Sequence, residues 1–199
     1  MRWLTPDDLT RIYGEPVPAS IRKVAPYLTD AYRAFLERAR FCILSTVGPE
    51  GTDASPRGDD GPVVRILDAK TLAVPDRHGN NRIDSLRNIA GDERVSLMFM
   101  INGSDTIIRI NGRARITDDD KLCASFEHGG KLPWTVILIR IEEVYFQCAR
   151  AILRAGLWSD PDNSAGLPTA GQILADMTAG EVGGDGYDRG PARAASSMW

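Results

Sequence analysis

Cysteine and histidine are scarce in this chain: 199 residues include three of the first and two of the second. Cys42, Cys123 and Cys148 stand far apart with no C-x-x-C pair, and a zinc site needs more ligands at tighter spacing. Cys42 and Cys148 lie in apolar runs and are expected to be buried small hydrophobes. No Gly-x-Gly-x-x-Gly follows a strand pattern, which removes the phosphate fingerprint of the dinucleotide folds. No positioned Ser/His/Asp or Cys/His set is visible, so a nucleophilic triad is not expected. No apolar run reaches membrane-spanning length, and residues 1–8 lack an apolar core of signal-peptide length. The expectation is a cytoplasmic protein with no membrane partner. A net charge of −3 without a Lys/Arg-rich block argues against nucleic acid. Hydrophobic content of 43% and charged content of 26% are ordinary for a globular domain.

What the chain does have is an arginine cluster at a helix start. Apolar runs at 63–67 and 71–74 flank Asp68, Ala69 and Lys70, which reads as a hairpin. The second run leads through Pro75 and Gly79 into a helix expected to open at Asn80 or Asn81, with Ile83, Leu86 and Ile89 on one stripe. Arg77, Arg82, Ser85 and Arg87 then crowd one helix N-terminus. Free backbone N–H groups and the dipole favour an anion there, and guanidinium forks grip phosphate bidentately. The bland alternative is a turn, a cap and a solvated arginine face, with Asp76 and Asp84 compensating the charge internally.

The remaining pattern is α+β with a strand-rich middle. Four prolines within residues 1–28 break any long helix there, and 29–39 has apolar residues at helical spacing. Strands are expected at 41–46, 52–55, 94–101, 106–116 and 134–146, with a polar loop at 56–62. A short helix starts at 117–120, another is expected at 170–177, and 180–187 reads as a loop. About six antiparallel strands with short turns and no βαβ alternation argue for a closed barrel. The expected fold is mainly β (α+β), a six-stranded antiparallel split β-barrel with flanking helices. The expected units are an N-terminal helical segment (1–40), the barrel (41–158) and a C-terminal extension (159–199).

Pro-Asp-Arg-x-Gly-Asn-Asn-Arg-x-Asp-Ser-Leu-Arg-Asn-Ile from Pro75 onward, then the run from Arg94 to Phe99, then Asn-Gly-Arg-Ala-Arg-Ile at 111–116, form an ordered set. This set resembles the FMN-binding split-barrel flavoproteins related to pyridoxamine 5'-phosphate oxidase. The likeness runs over about 35–158 and is nearest to a bacterial branch with this long Asn-Asn-Arg signature and a Gly-Leu-Trp near the C-terminus. It implies FMN as cofactor, a homodimer with FMN between two barrels, and hydride or electron transfer with a small planar substrate. NADH or NADPH is the candidate electron donor. The alternative is a non-catalytic protein that stores, senses or sequesters flavin.

By that resemblance Arg65 contacts the cofactor, and backbone groups of Val74, Pro75 and Asp76 face the flavin. Arg82 and Ser85 suit the phosphate, Asn80 and Asn81 offer amides to phosphate or ribityl, and Arg77 fits either role. Arg109, mid-strand among apolar neighbours, is either in a barrel-rim salt bridge or at the flavin's polar edge from the partner subunit. Trp158 either caps the ring or packs the C-terminal segment, and His78 lies in the loop. Arg113 and Arg115 alternate onto one face and are expected in solvent. Relatives that grip a pyridoxal-type phosphate use further arginines and histidines near the C-terminus, and this chain shows no counterpart. A flavin reductase or oxidoreductase acting on a small planar acceptor is the better fit.

Overall fold

The computed structural model describes residues 1–190; the last nine residues of the C-terminal extension lie outside the described residues. Seven strands form one sheet: β1 (Phe41–Gly48), β2 (Gly51–Gly58), β3 (Arg65–Ile66), β4 (Thr71–Pro75), β5 (Arg94–Met100), β6 (Ile107–Thr117) and β7 (Val136–Gln147). Their order is β2-β1-β5-β6-β7-β4-β3, and every neighbouring pair is antiparallel. The six strands read from sequence thus become seven, and the sheet does not close. β2 and β3 are its two outer edges and share no ladder. β3 is two residues long because the chain enters it with Val63 and Val64 turned into the core, and it pairs only with Leu72 and Ala73.

The pleat decides what is buried. Along β5 exposure alternates, so Val95, Leu97 and Phe99 point inward between Cys42 and Leu44 of β1 and Ile108 and Ile110 of β6. On β7 the inward set runs Ile137, Ile139, Ile141 and then Val144, a step of three. A bulge at Asn111/Gly112 absorbs that step, because Asn111 opposes Glu143 while Gly112 opposes Ile141. A Cβ on Gly112 would collide with the backbone carbonyl of Arg140, which cannot swing aside. Gly112→Ala is expected to cost about 1–3 kcal/mol in a denaturant titration. An unchanged midpoint would show that the bulge is not close-packed.

Eight helices flank the sheet in the described residues: α1 (Pro6–Tyr13), α2 (Pro18–Arg22), α3 (Asp30–Leu36), α4 (Asp84–Gly91), α5 (Asp120–Ala124), α6 (Arg150–Ala155), α7 (Ala170–Met177) and α8 (Gly184–Asp188). The prolines of 1–28 do forbid a long helix, yet Pro6 and Pro18 each start a short one, where a missing N–H costs nothing. The helix expected at 170–177 is present, capped by Thr169 with Gln172 reaching back. Part of 180–187, read as a loop, is α8.

α3 and α4 close the ends of the core with Leu36 and Ile89. The 68–70 turn is as expected: Leu67 N–H donates to the Thr71 carbonyl at 2.9 Å, and Asp68 Oδ1 accepts from Lys70 N–H at 2.6 Å.

Cys42 is buried as expected, and desolvation pushes its thiol up to about 12. Cys123 is also buried and raised, by desolvation first and then by the carboxylates of Asp118, Asp119 and Asp120. Cys148 overturns the expectation of burial. β7 ends at Gln147, so the thiol is exposed, and the Arg150 backbone N–H lowers its pKa. A thiol reagent such as DTNB should therefore react rapidly with one cysteine in the native protein and with all three after unfolding. Cys148→Ser should remove the fast reaction; its persistence would place the reactive thiol elsewhere.

Candidate functional site

The open seam between β2 and β4 is bridged by side chains instead of backbone. Arg57 of β2 pairs with Asp76 just past β4, Nη1 to Oδ1 at 2.6 Å. Asp59, just past β2, pairs with Arg77, whose Nε and Nη2 lie 3.1 and 2.9 Å from one carboxylate oxygen. Arg77 Nη1 also donates to the Phe126 carbonyl at 2.7 Å. The two pairs carry opposite sense across the seam, and all four side chains are at most 20% exposed.

Along this seam runs a groove made of three contiguous hollows. The first, about 400 Å³, is lined by Arg33, Pro62, Arg65, Phe126 and His128. It meets the second, about 210 Å³, at Asp59, Pro75 and Arg77. The second passes into the third, about 160 Å³, at Arg57, Arg77 and His78; Asn80, Asn81, Arg82 and Trp134 line that end.

β4 has lost β3 beyond Ala73, so Val74 and Pro75 border the groove while β7 holds their other side. Pro75 suits such an unpaired edge, since it has no N–H to leave unsatisfied. Asp76 N–H continues the ladder to the Thr135 carbonyl at 3.0 Å. At one end Arg65 lies over the Phe126 ring, 3.7 Å from its centroid, and donates twice to Ser125, each at 2.7 Å. At the other, His78 packs on Trp134 with ring centroids 5.0 Å apart, and its Nε2 lies 3.1 Å from the Leu132 carbonyl. Between them Arg57 Nε is a buried donor with no hydrogen-bond partner among the described residues.

The arginine cluster does not converge on one helix end. α4 begins at Asp84, and Ile83 stands at its N-cap without a side-chain hydrogen bond, so neither Asn80 nor Asn81 caps it. Asn80 Oδ1 instead accepts from Arg82 N–H at 3.0 Å, and Asn81 takes a left-handed φ of 60°, which prolongs the loop. Arg82 pairs with Asp84 at 2.6 Å and remains 79% exposed. Ser85 is buried and donates to Asp53 of β2 at 2.5 Å. Arg87 lies with Arg82 on a separate hollow of about 480 Å³ by the β1–β2 turn. Carboxylates of the protein take two of the cations, Asp59 pairing with Arg77 and Asp84 with Arg82.

Two expected residues lie off the groove within one chain. Arg109 sits on the outer sheet face, its guanidinium 5.2 Å from the Tyr145 ring centroid, and an aromatic face replaces the salt bridge considered from sequence. Trp158 Nε1 donates to the Ser104 carbonyl at 2.9 Å, beside the β5–β6 turn. Arg57, Asp59, Phe126 and Trp134 were not singled out from sequence. The detectable signal was Arg57-x-Asp59, two charges at the two-residue period of a strand that put both on one face.

The sequence profile of the pyridoxamine 5'-phosphate oxidase family matches residues 28–148, which span the whole sheet. No curated protein matches the sequence. Among solved structures the chain is similar to HupZ of Group A Streptococcus, at 17% identity over 61% of this chain and 94% of that one, with a TM-score of 0.49. It is also similar to General Stress Protein 26 of Bacillus anthracis, at 16% identity over 57% and 88% of the two chains and a TM-score of 0.46. A third similar structure is an F420 reductase, at 19% identity over 60% and 98% and a TM-score of 0.42.

Proposed function

Because this chain belongs to the pyridoxamine 5'-phosphate oxidase family, whose members are flavin-type oxidoreductases, we propose that it is an FMN-dependent oxidoreductase. In this reading it passes hydride or electrons between the flavin and a small planar substrate. The observation that carries the reading is the seam groove, which joins a loop of Arg82, Asn80 and Asn81 to an aromatic floor at Phe126. The orphaned Arg57 Nε between them fits a ligand that brings its own acceptor.

FMN bound there supplies the hydride chemistry. Arg82 would exchange its Asp84 carboxylate for the phosphate, with the Asn80 and Asn81 amides beside it. Ser85 keeps the start of α4 in place through Asp53. Val74, Pro75 and Asp76 present backbone at the ring, Arg57 donates from Nε, and Arg77 holds the seam shut beneath it. Arg65 stands at the ring end over Phe126, while His78 and Trp134 flank the phosphate end. Residues 41–158 form the cofactor-binding unit in this account, with 1–40 packed on it and 159–199 as an extension.

Members of the family are typically dimers. This chain is proposed to form a two-fold homodimer with FMN along an interface above roughly 2,000 Å². The half-exposed outer face of Ile43, Met98 and Tyr145 then packs against the partner. Arg109 and Trp158 reach the flavin from that partner. Light scattering on apo and FMN-bound protein checks this: a monomer that holds FMN tightly would show that one chain makes the whole site.

Anaerobic addition of NADH or NADPH to the FMN-loaded protein separates catalysis from storage. Loss of the oxidised flavin's absorbance is the expected result. A bound flavin that only dithionite reduces would contradict an NAD(P)H-driven oxidoreductase and favour a storage protein.

A further inference from the structure

The outer face of the sheet carries a second concentration of arginine that shares no residue with the seam groove. In the ladders, Arg94 of β5 opposes Arg113 of β6, and Arg113 opposes Arg140 of β7. Three arginines thus stand side by side on three adjacent strands, and Arg115 lies two residues along the same face of β6. Directly opposed side chains have Cβ atoms about 5 Å apart, and like charges so placed destabilise a sheet. A chain of net charge −3 has placed them together all the same.

Carboxylates answer only part of that charge. Arg94 pairs with Asp92 at 2.6 Å, Arg113 with Glu142 at 3.1 Å, and Arg115 with Glu93 at 2.6 Å. These are exposed pairs, which contribute little and exchange readily for another anion. The Arg140 side chain has no hydrogen bond, ion pair or ring contact among the described residues. Arg113, Arg115 and Arg140 surround a hollow of about 320 Å³ floored by Leu138 and Thr71, with Glu93 as its one acid.

We propose that this hollow is an anion site for a diphosphate group, gripped by the forks of Arg113, Arg115 and Arg140. Two adjacent phosphoryl groups supply enough charge and enough oxygens for three guanidinium planes, which a single carboxylate does not. The site shares no residue with the seam groove, and its Arg94–Arg113–Arg140 row lies four residues along β5 and β6 from the Met98–Arg109–Tyr145 row assigned to the dimer contact.

Calorimetric titration of the full chain with sodium pyrophosphate at low salt tests it, with ADP as a second titrant. Saturable binding of one pyrophosphate per chain is expected, weakened about tenfold or more in Arg140→Ala. Glu93→Gln, which removes the competing acid, is expected to tighten binding and gives a second reading should Arg140→Ala fold poorly. ADP binding at least as tightly as pyrophosphate assigns the diphosphate to a nucleotide; weaker ADP binding assigns it to the free anion. Absence of saturable binding at millimolar pyrophosphate overturns the proposal. So does displacement of pyrophosphate by FMN, or unchanged binding in both variants.

Discussion

Replacing Arg82 by alanine is expected to weaken FMN binding by about ten- to a hundredfold while riboflavin binding stays nearly unchanged. The difference between the two ligands is the phosphate alone, so the pair isolates what Arg82 holds. Arg82 is well placed for the exchange because its present partner, Asp84, lies two residues away in an exposed pair. An incoming dianion offers more charge than that carboxylate and also meets the Asn80 and Asn81 amides. Fluorescence titration with each ligand measures both constants. Equal losses for FMN and riboflavin would mean that Arg82 shapes the loop without touching phosphate.

The second large effect belongs to the seam. Asp59→Ala removes the carboxylate that Arg77, 19% exposed, holds at 2.9 Å and is expected to cost about 1.5–3 kcal/mol in denaturant unfolding. Arg57→Ala should cost a similar amount by stranding Asp76, 20% exposed. Because the two pairs span the same gap, the double variant should lose less than the sum of the singles. Strict additivity would show that each pair acts alone and that the seam is held by its neighbours. FMN affinity should fall in both single variants, since Arg57 and Arg77 wall the same groove.

Local features of the fold were legible because they need only neighbouring residues. Asp68 and Lys70 mark their own turn, the alternation from Arg94 to Phe99 names its inward face, and Thr169 with Gln172 marks a helix start. The helix starts at Asp84 and not at Asn80 or Asn81 for an equally local reason. Asn serves turns as readily as caps, and here it bonded to Arg82 N–H.

What sequence could not supply is pairing at a distance. Ser85 meets Asp53 across 32 positions and Arg77 meets Asp59 across 18, and both depend on how β2 is laid beside the β4–α4 loop. Charge alone therefore made the arginine cluster look like one anion site. One acid that divides it, Asp84, is a sequence neighbour of Arg82, whereas Asp53 and Asp59 come from β2 and the segment just past it. Cys148 shows the same limit: its run looks apolar, but the strand ends one residue before it.

If the seam groove holds FMN, the bound ligand itself will show it. The protein is denatured as purified, and again after reconstitution with FMN and removal of excess, and the released compound is identified by chromatography and mass. A yellow protein that releases FMN at one equivalent per chain is the expected result. Release of FAD, a deazaflavin or a nicotinamide, or of nothing at all, would contradict it.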